Sequence, residues 1–204
     1  MRNACTRALV ALILSLGGVA AAHGEVRTYA VAPGKGQEVV FASKAPMESF
    51  EGRTDQASGT IVADFANLGA GCEVRIAVDL ASLKTGIGMR DTHMRERHLE
   101  TETYPQAVFS GSRVVAATPA SLAPGGTARV TVAGTFDLHG VAREVELPVE
   151  LALAADGTLT VRAQFNVLLT DHQIDRPKVL MLKLADEQKV SVVLTARTTA
   201  EPAR

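Results

Sequence analysis

Apolar residues recur at every second position along most of this chain, and that period commits it to strands. In CEVRIAVDL, Cys72, Val74, Ile76, Val78 and Leu80 share one face while Glu73, Arg75 and Asp79 share the other, as in a half-buried strand. Val130, Val132, Phe136 and Leu138 alternate with Arg129, Thr131, Thr135 and Asp137. Val145, Leu147, Val149, Leu151 and Leu153 alternate with Glu144, Glu146 and Glu150, and Val161, Phe165, Val167 and Leu169 with Arg162, Gln164 and Asn166. Val190, Val192 and Leu194 close the series, and weaker signals lie at Arg27 to Ala32, Glu38 to Ala42, Glu51 to Thr54, Ser58 to Phe65 and Ala107 to Val115. The spacing predicts eight to ten strands.

Turn-forming residues separate these runs: Gly69 with Gly71, Pro124-Gly125-Gly126, His139-Gly140 and Asp156-Gly157. The last two pairs predict two-residue hairpin loops, with His139 at a positive-φ position that histidine tolerates better than most residues. Consecutive hairpins make the neighbours antiparallel, and such strands pack as a sandwich or close into a barrel. Periodicity alone does not choose between the two. Pro148 points away from the apolar face of its run and cannot donate a ladder hydrogen bond, which predicts a bulge or a local gap in closure.

One segment breaks the period. Met89 to Glu100 reads as a short, strongly charged helix, with Asp91 and Arg95 four apart and Arg97 and Glu100 three apart. It suits a strap over a barrel end, with Met89 and Leu99 as its underside, or a surface crossover with no gating role.

The N-terminus predicts export. Arg2 and Arg7 precede an uncharged run from Ala8 to Ala22 that ends in three alanines, the pattern of a secretory signal over residues 1–22, cleaved after Ala22 or Gly24. The run is shorter than the roughly 20 residues a spanning helix needs, so no membrane span is expected. Residues 23–204 are then expected to form a single domain, long enough to bury its own core. Cys5 is expected to leave with the leader, so Cys72 is the cysteine that remains, and one cysteine makes no internal disulfide. The 21 basic and 22 acidic residues become 19 and 22 once Arg2 and Arg7 leave, a net charge of −3. That balance offers no basic stripe for nucleic acid.

Signals for chemistry are sparse. His93 and His98 are five apart, which on an α-helix separates them by about 140°, so they are expected to diverge. Asp171 and His172, with Asp175 nearby, fit a polar loop or one part of a metal or acid–base site. There is no GxSxG elbow, and Gly86-Ile87-Gly88 lacks the further glycines of a dinucleotide loop. Cys72 opens an apolar strand face, where a thiol behaves as a small hydrophobe. No enzyme activity, metal or cofactor is expected.

VDLASLKTG, the MRDTHM helix start, TYPQAVF and FDLHGVAREVEL together resemble the YceI-like family of exported, polyisoprenoid-binding, lipocalin-like barrels. The likeness weakens in FNVLLTDHQIDRPKVLMLKLADEQKV, where many relatives continue with an arginine, an acid and a glycine after an aromatic. Asp171 to Lys183 is therefore expected to build a different loop or short helix at a barrel mouth, with Val179 to Leu182 as its apolar part. The resemblance implies an all-β, antiparallel lipocalin-like β-barrel of about eight strands, one short helix crossing near a barrel end. It also implies a periplasmic carrier or binding protein for a long-chain amphipathic lipid such as a polyisoprenoid, with the tail inside the barrel; a homodimer is left open. An eight-stranded barrel is either filled by its side chains or holds one small ligand. The small residues Gly134 and Ala163 among the inward series either leave such space or only fit the taper of a packed barrel. In the packed case the chain would act as a periplasmic interaction or stress-related module, docking through its helix or the Val179 to Leu182 loop. From the alternation, the residues expected to line a ligand site are Val74, Ile76, Val78, Met89, Phe109, Val132, Phe136, Leu138, Phe165, Val167 and Val192.

Overall fold

The computed structural model describes residues 26–44, 49–179 and 182–199. The expected leader, Cys5, His23 and positions 180 and 181 of the Val179 to Leu182 segment lie outside the described residues. In chain order the strands are β1 (Val26–Val31), β2 (Glu38–Lys44), β3 (Ser49–Thr54), β4 (Ala57–Asp64), β5 (Cys72–Asp79), β6 (Gln106–Thr118), β7 (Thr127–Leu138), β8 (Val141–Leu153), β9 (Leu159–Leu168), β10 (Lys178–Val179), β11 (Leu182–Lys183) and β12 (Glu187–Thr198). All but the short β10–β11 pair belong to one antiparallel sheet ordered β1-β4-β5-β6-β7-β8-β9-β12-β2-β3, and a β1–β12 pairing closes it.

The closure makes eight walls from ten strands. β12 pairs with β1 at its end, Tyr29 against Thr198, and with β2 nearer its start, Ala42 against Lys189. β4 and β3 repeat the arrangement on the next wall, pairing with β1 and β2 respectively. β1 with β2, and β3 with β4, are thus two long interrupted strands of a closed eight-stranded antiparallel barrel. Inward-facing aliphatics supply its core because each strand alternates faces every residue.

Two hairpins turn out differently. Leu138 pairs directly with Val141, so His139 (φ 56) and Gly140 (φ 71) form the expected two-residue turn. Leu153 pairs with Leu159, however, leaving a loop over 154–158 instead of a two-residue Asp156-Gly157 turn. Gly157 alone takes positive φ, the Gly157 N–H donates to the Ala154 carbonyl and the Thr158 N–H to the Asp156 carboxylate. That is a turn followed by a left-handed glycine, which a lone αL residue favours over the paired αL geometry of the shorter loop.

Pro148 does mark a gap. The β7–β8 ladder runs unbroken through Thr131 and Pro148, whereas β8 meets β9 only from Val149↔Ala163 to Leu153↔Leu159. Gly134 serves close approach: a Cβ there would lie 2.2 Å from the Ser110 carbonyl oxygen, beside a register shift in β6.

The barrel ends are unlike. At one, Tyr29, Phe65, Leu68, Leu122, Leu153 and Leu159 pack together as a plug, and the Tyr29 and Phe65 rings meet edge to face at 5.2 Å. Backbone bonds from Leu68 to the Ala120 carbonyl and from Leu122 to the Phe65 carbonyl hold the covering loops. At the other, a strap leaves β5 and returns to β6 through the helix α1 (Gly88–His93), which continues as a π-turn over Met94–His98. The segment after β9 crosses the same end, beginning with a 3-10 turn at Leu169–His172.

Candidate binding cavity

The barrel is hollow. A cavity of about 730 Å³ runs from the plug to the strap, so a barrel filled by its own side chains is not what this sequence builds. All eleven residues expected from the alternation line it: Val74, Ile76, Val78, Met89, Phe109, Val132, Phe136, Leu138, Phe165, Val167 and Val192. Ala163 also faces this space, while Gly134 does not line it. The depth of the lumen is aliphatic and aromatic, including Ile61, Val130, Leu151, Leu159, Val161 and Leu194.

The polar residues on the lining are Arg90, His93 and His98 from the strap and Gln188 from the start of β12, with the thiol of Cys72. Gln188 is occupied locally, its amide donating to the Ala185 carbonyl at 2.7 Å. Polarity is therefore concentrated at the strapped end, while the wall below it offers a ligand dispersion contacts and dehydration.

The strap is pinned by a buried carboxylate. Asp91, only 8% exposed, accepts the Thr85 backbone N–H at 2.8 Å and the Thr85 hydroxyl. Arg90 donates through Nε to Thr85 Oγ1 at 2.8 Å and through Nη2 to the Thr85 carbonyl at 3.0 Å, and its guanidinium lies 4.1 Å from the centroid of the Phe50 ring. Phe50 meets Phe41 edge to face at 6.2 Å. The helix-surface pair expected between Asp91 and Arg95 is not made, because the carboxylate turns inward to Thr85. Met89, 73% exposed, and Ile87, 51% exposed, stand at the rim, whereas Leu99 is buried beneath the strap.

His93 and His98 do not diverge as expected. The Leu99 N–H bonds to the Met94 carbonyl, five residues back, and this π-turn replaces the 100° step of an α-helix with one that keeps residues five apart on the same side. Both imidazoles consequently reach the cavity. His98 Nδ1 lies 3.1 Å from the Asp175 carbonyl oxygen, which makes Nδ1 the protonated, donating nitrogen. Burial pushes the His98 pKa below the usual histidine range, more strongly than the Asp175 contacts raise it.

His139 and His172 hold the neighbouring hairpin. His172 is 4% exposed, its Nδ1 lies 2.9 Å from the Val141 carbonyl and its ring meets Phe136 edge to face. It is a buried structural residue, and Asp171 contributes its backbone carbonyl to Arg143. Of the Asp171 to Lys183 segment, the described residues 171–179 and 182–183 reach the mouth, where Ile174 and Pro177 join the lining and Lys178 pairs with Lys183 across β10 and β11. Among the described residues no three His, Cys, Asp or Glu side chains gather as a metal site. Cys72 is half-buried on the lumen wall, and desolvation pushes its thiol pKa up.

Sequence reasoning missed Phe41, Phe50, Leu83 and Ile174, all of which line the cavity. Phe41 and Phe50 lie in short strands with weak alternation, and Leu83 follows the Leu80–Ser82 turn after β5, where the alternation has ended. One signal was present: Gly52, where a Cβ would fall 2.1 Å from the Phe41 ring, marks where an aromatic lies across the backbone.

A search of curated proteins found no match. Solved structures similar to this chain include a polyisoprenoid binding domain from Saccharophagus degradans implicated in plant cell wall breakdown, with a TM-score of 0.68 and 22% identity over 86% of this chain and 100% of that one. Burkholderia cenocepacia BcnA aligns with a TM-score of 0.63 and 22% identity, covering 78% of this chain and 95% of that one. A Campylobacter jejuni YCEI protein aligns at 0.57 and 17% identity, over 74% and 85%. At these identities the structures testify to the shared barrel. The model of the YceI-like domain matches residues 29–196, nearly the whole barrel, and the chain belongs to the YceI-like family.

Proposed function

We propose that this protein is an exported, periplasmic binding protein or carrier for an amphipathic lipid such as a polyisoprenoid, and that it is not an enzyme. The tail occupies the lumen and the head group stays at the strapped end beside Arg90, His93 and His98. The observation that carries this reading is the gradient of the 730 Å³ cavity, apolar throughout its depth and polar at one end. Ligand sites of about 300–1,000 Å³ with a few convergent polar groups are the usual size for one small molecule. Family membership and the resemblance to a polyisoprenoid binding domain support the class of ligand. Export is inferred from the Arg2, Arg7 and Ala8 to Ala22 pattern.

The test is organic extraction of gently purified protein followed by mass spectrometry. A near-stoichiometric isoprenoid or similar lipid is expected. Protein that comes out lipid-free, and that also refuses added polyprenols in a fluorescence displacement assay, overturns the reading.

A further inference from the structure

Two polar side chains at the strapped end direct their donors at the protein's own backbone. His98 Nδ1 donates to the Asp175 carbonyl at 3.1 Å, and a carbonyl only accepts, so the proton sits on Nδ1 and Nε2 keeps its lone pair. Gln188 is arranged the same way. Its Nε2 donates to the Ala185 carbonyl at 2.7 Å, which fixes the amide orientation and leaves Oε1 as an acceptor with no protein partner among the described residues. Both side chains line the lumen, and Gln188 is 5% exposed.

The cation on the lining is already answered. Arg90 donates from Nε to Thr85 Oγ1 and from Nη2 to the Thr85 carbonyl, with its guanidinium over the Phe50 ring, and the Thr85 hydroxyl in turn donates to the Asp91 carboxylate. Its charge is thus set against a buried carboxylate. His93, half-buried and without a hydrogen bond among the described residues, can donate or accept. Cys72 packs with the cluster that contains the plug, not with the one beneath the strap. The fixed polar valences that the mouth offers a ligand are therefore acceptors, and an acceptor dehydrated without a donor weakens binding.

We propose that the mouth selects an uncharged head group that donates hydrogen bonds, such as the hydroxyl of a free prenol, with His98 Nε2 and Gln188 Oε1 as its acceptors. A head group that only accepts, such as an ether, leaves both atoms unpaired, and an anionic phosphate meets lone pairs in place of donors. This selection rests on a tail lying in the lumen, as proposed above, and adds the chemistry of the head group.

Competition for the lumen against the fluorescent apolar probe N-phenyl-1-naphthylamine tests this, with geranylgeraniol, its methyl ether and its monophosphate as competitors at neutral pH. The three share one tail, so differences among them report the head group. Geranylgeraniol is expected to bind roughly three- to tenfold more tightly than the ether, the effect of one net hydrogen bond, and more tightly than the monophosphate. In His98→Phe and in Gln188→Met, each lacking one acceptor, the alcohol-to-ether ratio is expected to fall toward one. Because the ratio compares two ligands on the same protein, a general loosening of a variant does not move it. Equal affinity for alcohol and ether, a monophosphate that binds tightest, or a wild-type ratio in both variants overturns the proposal while leaving the tail in the lumen. Failure of all three competitors to displace the probe overturns the lumen reading and this proposal with it.

Discussion

The size of the lumen sets a ceiling on how much tail can be dehydrated, and that ceiling is measurable. At about 30 Å³ per methylene-sized group, the share a water takes in the liquid, the 730 Å³ cavity holds roughly two dozen carbons, or about five isoprene units. Each methylene moved from water into the aliphatic wall contributes about 0.8 kcal/mol, roughly fourfold in Kd. Affinity in a prenol series should therefore climb with chain length up to about five units and then flatten, because further carbons remain at the mouth. Costs of immobilising the ligand lower every affinity and make the slope shallower, but they do not move the break. Ala163→Phe sharpens the test. Ala163 faces the lumen between Val149 of β8 and Val192 of β12, so the six added ring carbons fill about a quarter of the space counted above. The break should shift down by about one isoprene unit, while the melting temperature stays within a few degrees because the ring enters a void rather than a packed core. Competition against an environment-sensitive fluorescent lipid reads both. An affinity that does not depend on chain length, or a break that stays in place in Ala163→Phe, refutes the argument that the tail lies in this cavity.

Asp91→Ala leaves the Thr85 N–H without its acceptor and frees the pin of the strap; a local loss of about 1–3 kcal/mol is expected, seen as faster amide hydrogen exchange over residues 85–99 with β7 and β12 unchanged. Equal exchange in both proteins would mean that the strap is held by something else. Leu159→Ala, fully buried in the plug at 0% exposure, should cost about 2–5 kcal/mol in denaturant unfolding, several times the effect of any rim substitution. For pH, the folded His98 pKa lies below its ordinary value because burial disfavours the imidazolium. Its stabilising contribution is therefore complete above the ordinary histidine range and is lost as pH falls toward the lowered value; His98→Gln should flatten the mildly acidic limb of the stability curve, and an unchanged limb would contradict this. Cys72, with its thiol pKa raised by burial on the lumen wall, should react with a disulfide reagent at neutral pH more slowly than an exposed thiol and more slowly still with the lumen loaded.

What the sequence made readable was whatever a strand period encodes. β5, β7, β8 and β9 carry an unbroken two-residue alternation, so Ile76, Val132, Phe136 and Phe165 could be assigned to the inner wall before any coordinates. His139-Gly140 announced its turn because paired positive φ angles select for such residues. Alternation fixes which face a side chain takes but not how far the opposite wall stands from it. Strand tilt and stagger set that distance, and they depend on features with weak local signals, such as the two register shifts in β6 and the pairing of interrupted strands on β12. The hollow was thus an open alternative until the walls were in place.

The mouth was harder to read than the wall for a different reason. Its geometry rests on competition among polar partners, and helical spacing rules presume that a charged side chain faces water. Asp91 placed four before Arg95 looks like a surface pair, yet the Thr85 N–H and hydroxyl offer two hydrogen bonds in a partly dry site, worth more than an exposed ion pair screened by solvent. Once Asp91 is drawn inward, α1 is anchored at its first turn, and the chain must still bring Leu99 down into the core. The π-turn at Met94–His98 fits one additional residue into that descent. It is this extra residue that turns His98 back to the same side as His93 and sets two imidazoles beside Arg90 at the opening. The polar end of the cavity is in this sense a consequence of how the strap is fastened: His98→Gln should weaken head-group discrimination while leaving the chain-length dependence of the tail unchanged, and an altered chain-length dependence would contradict the division of the cavity into a polar mouth and an apolar depth.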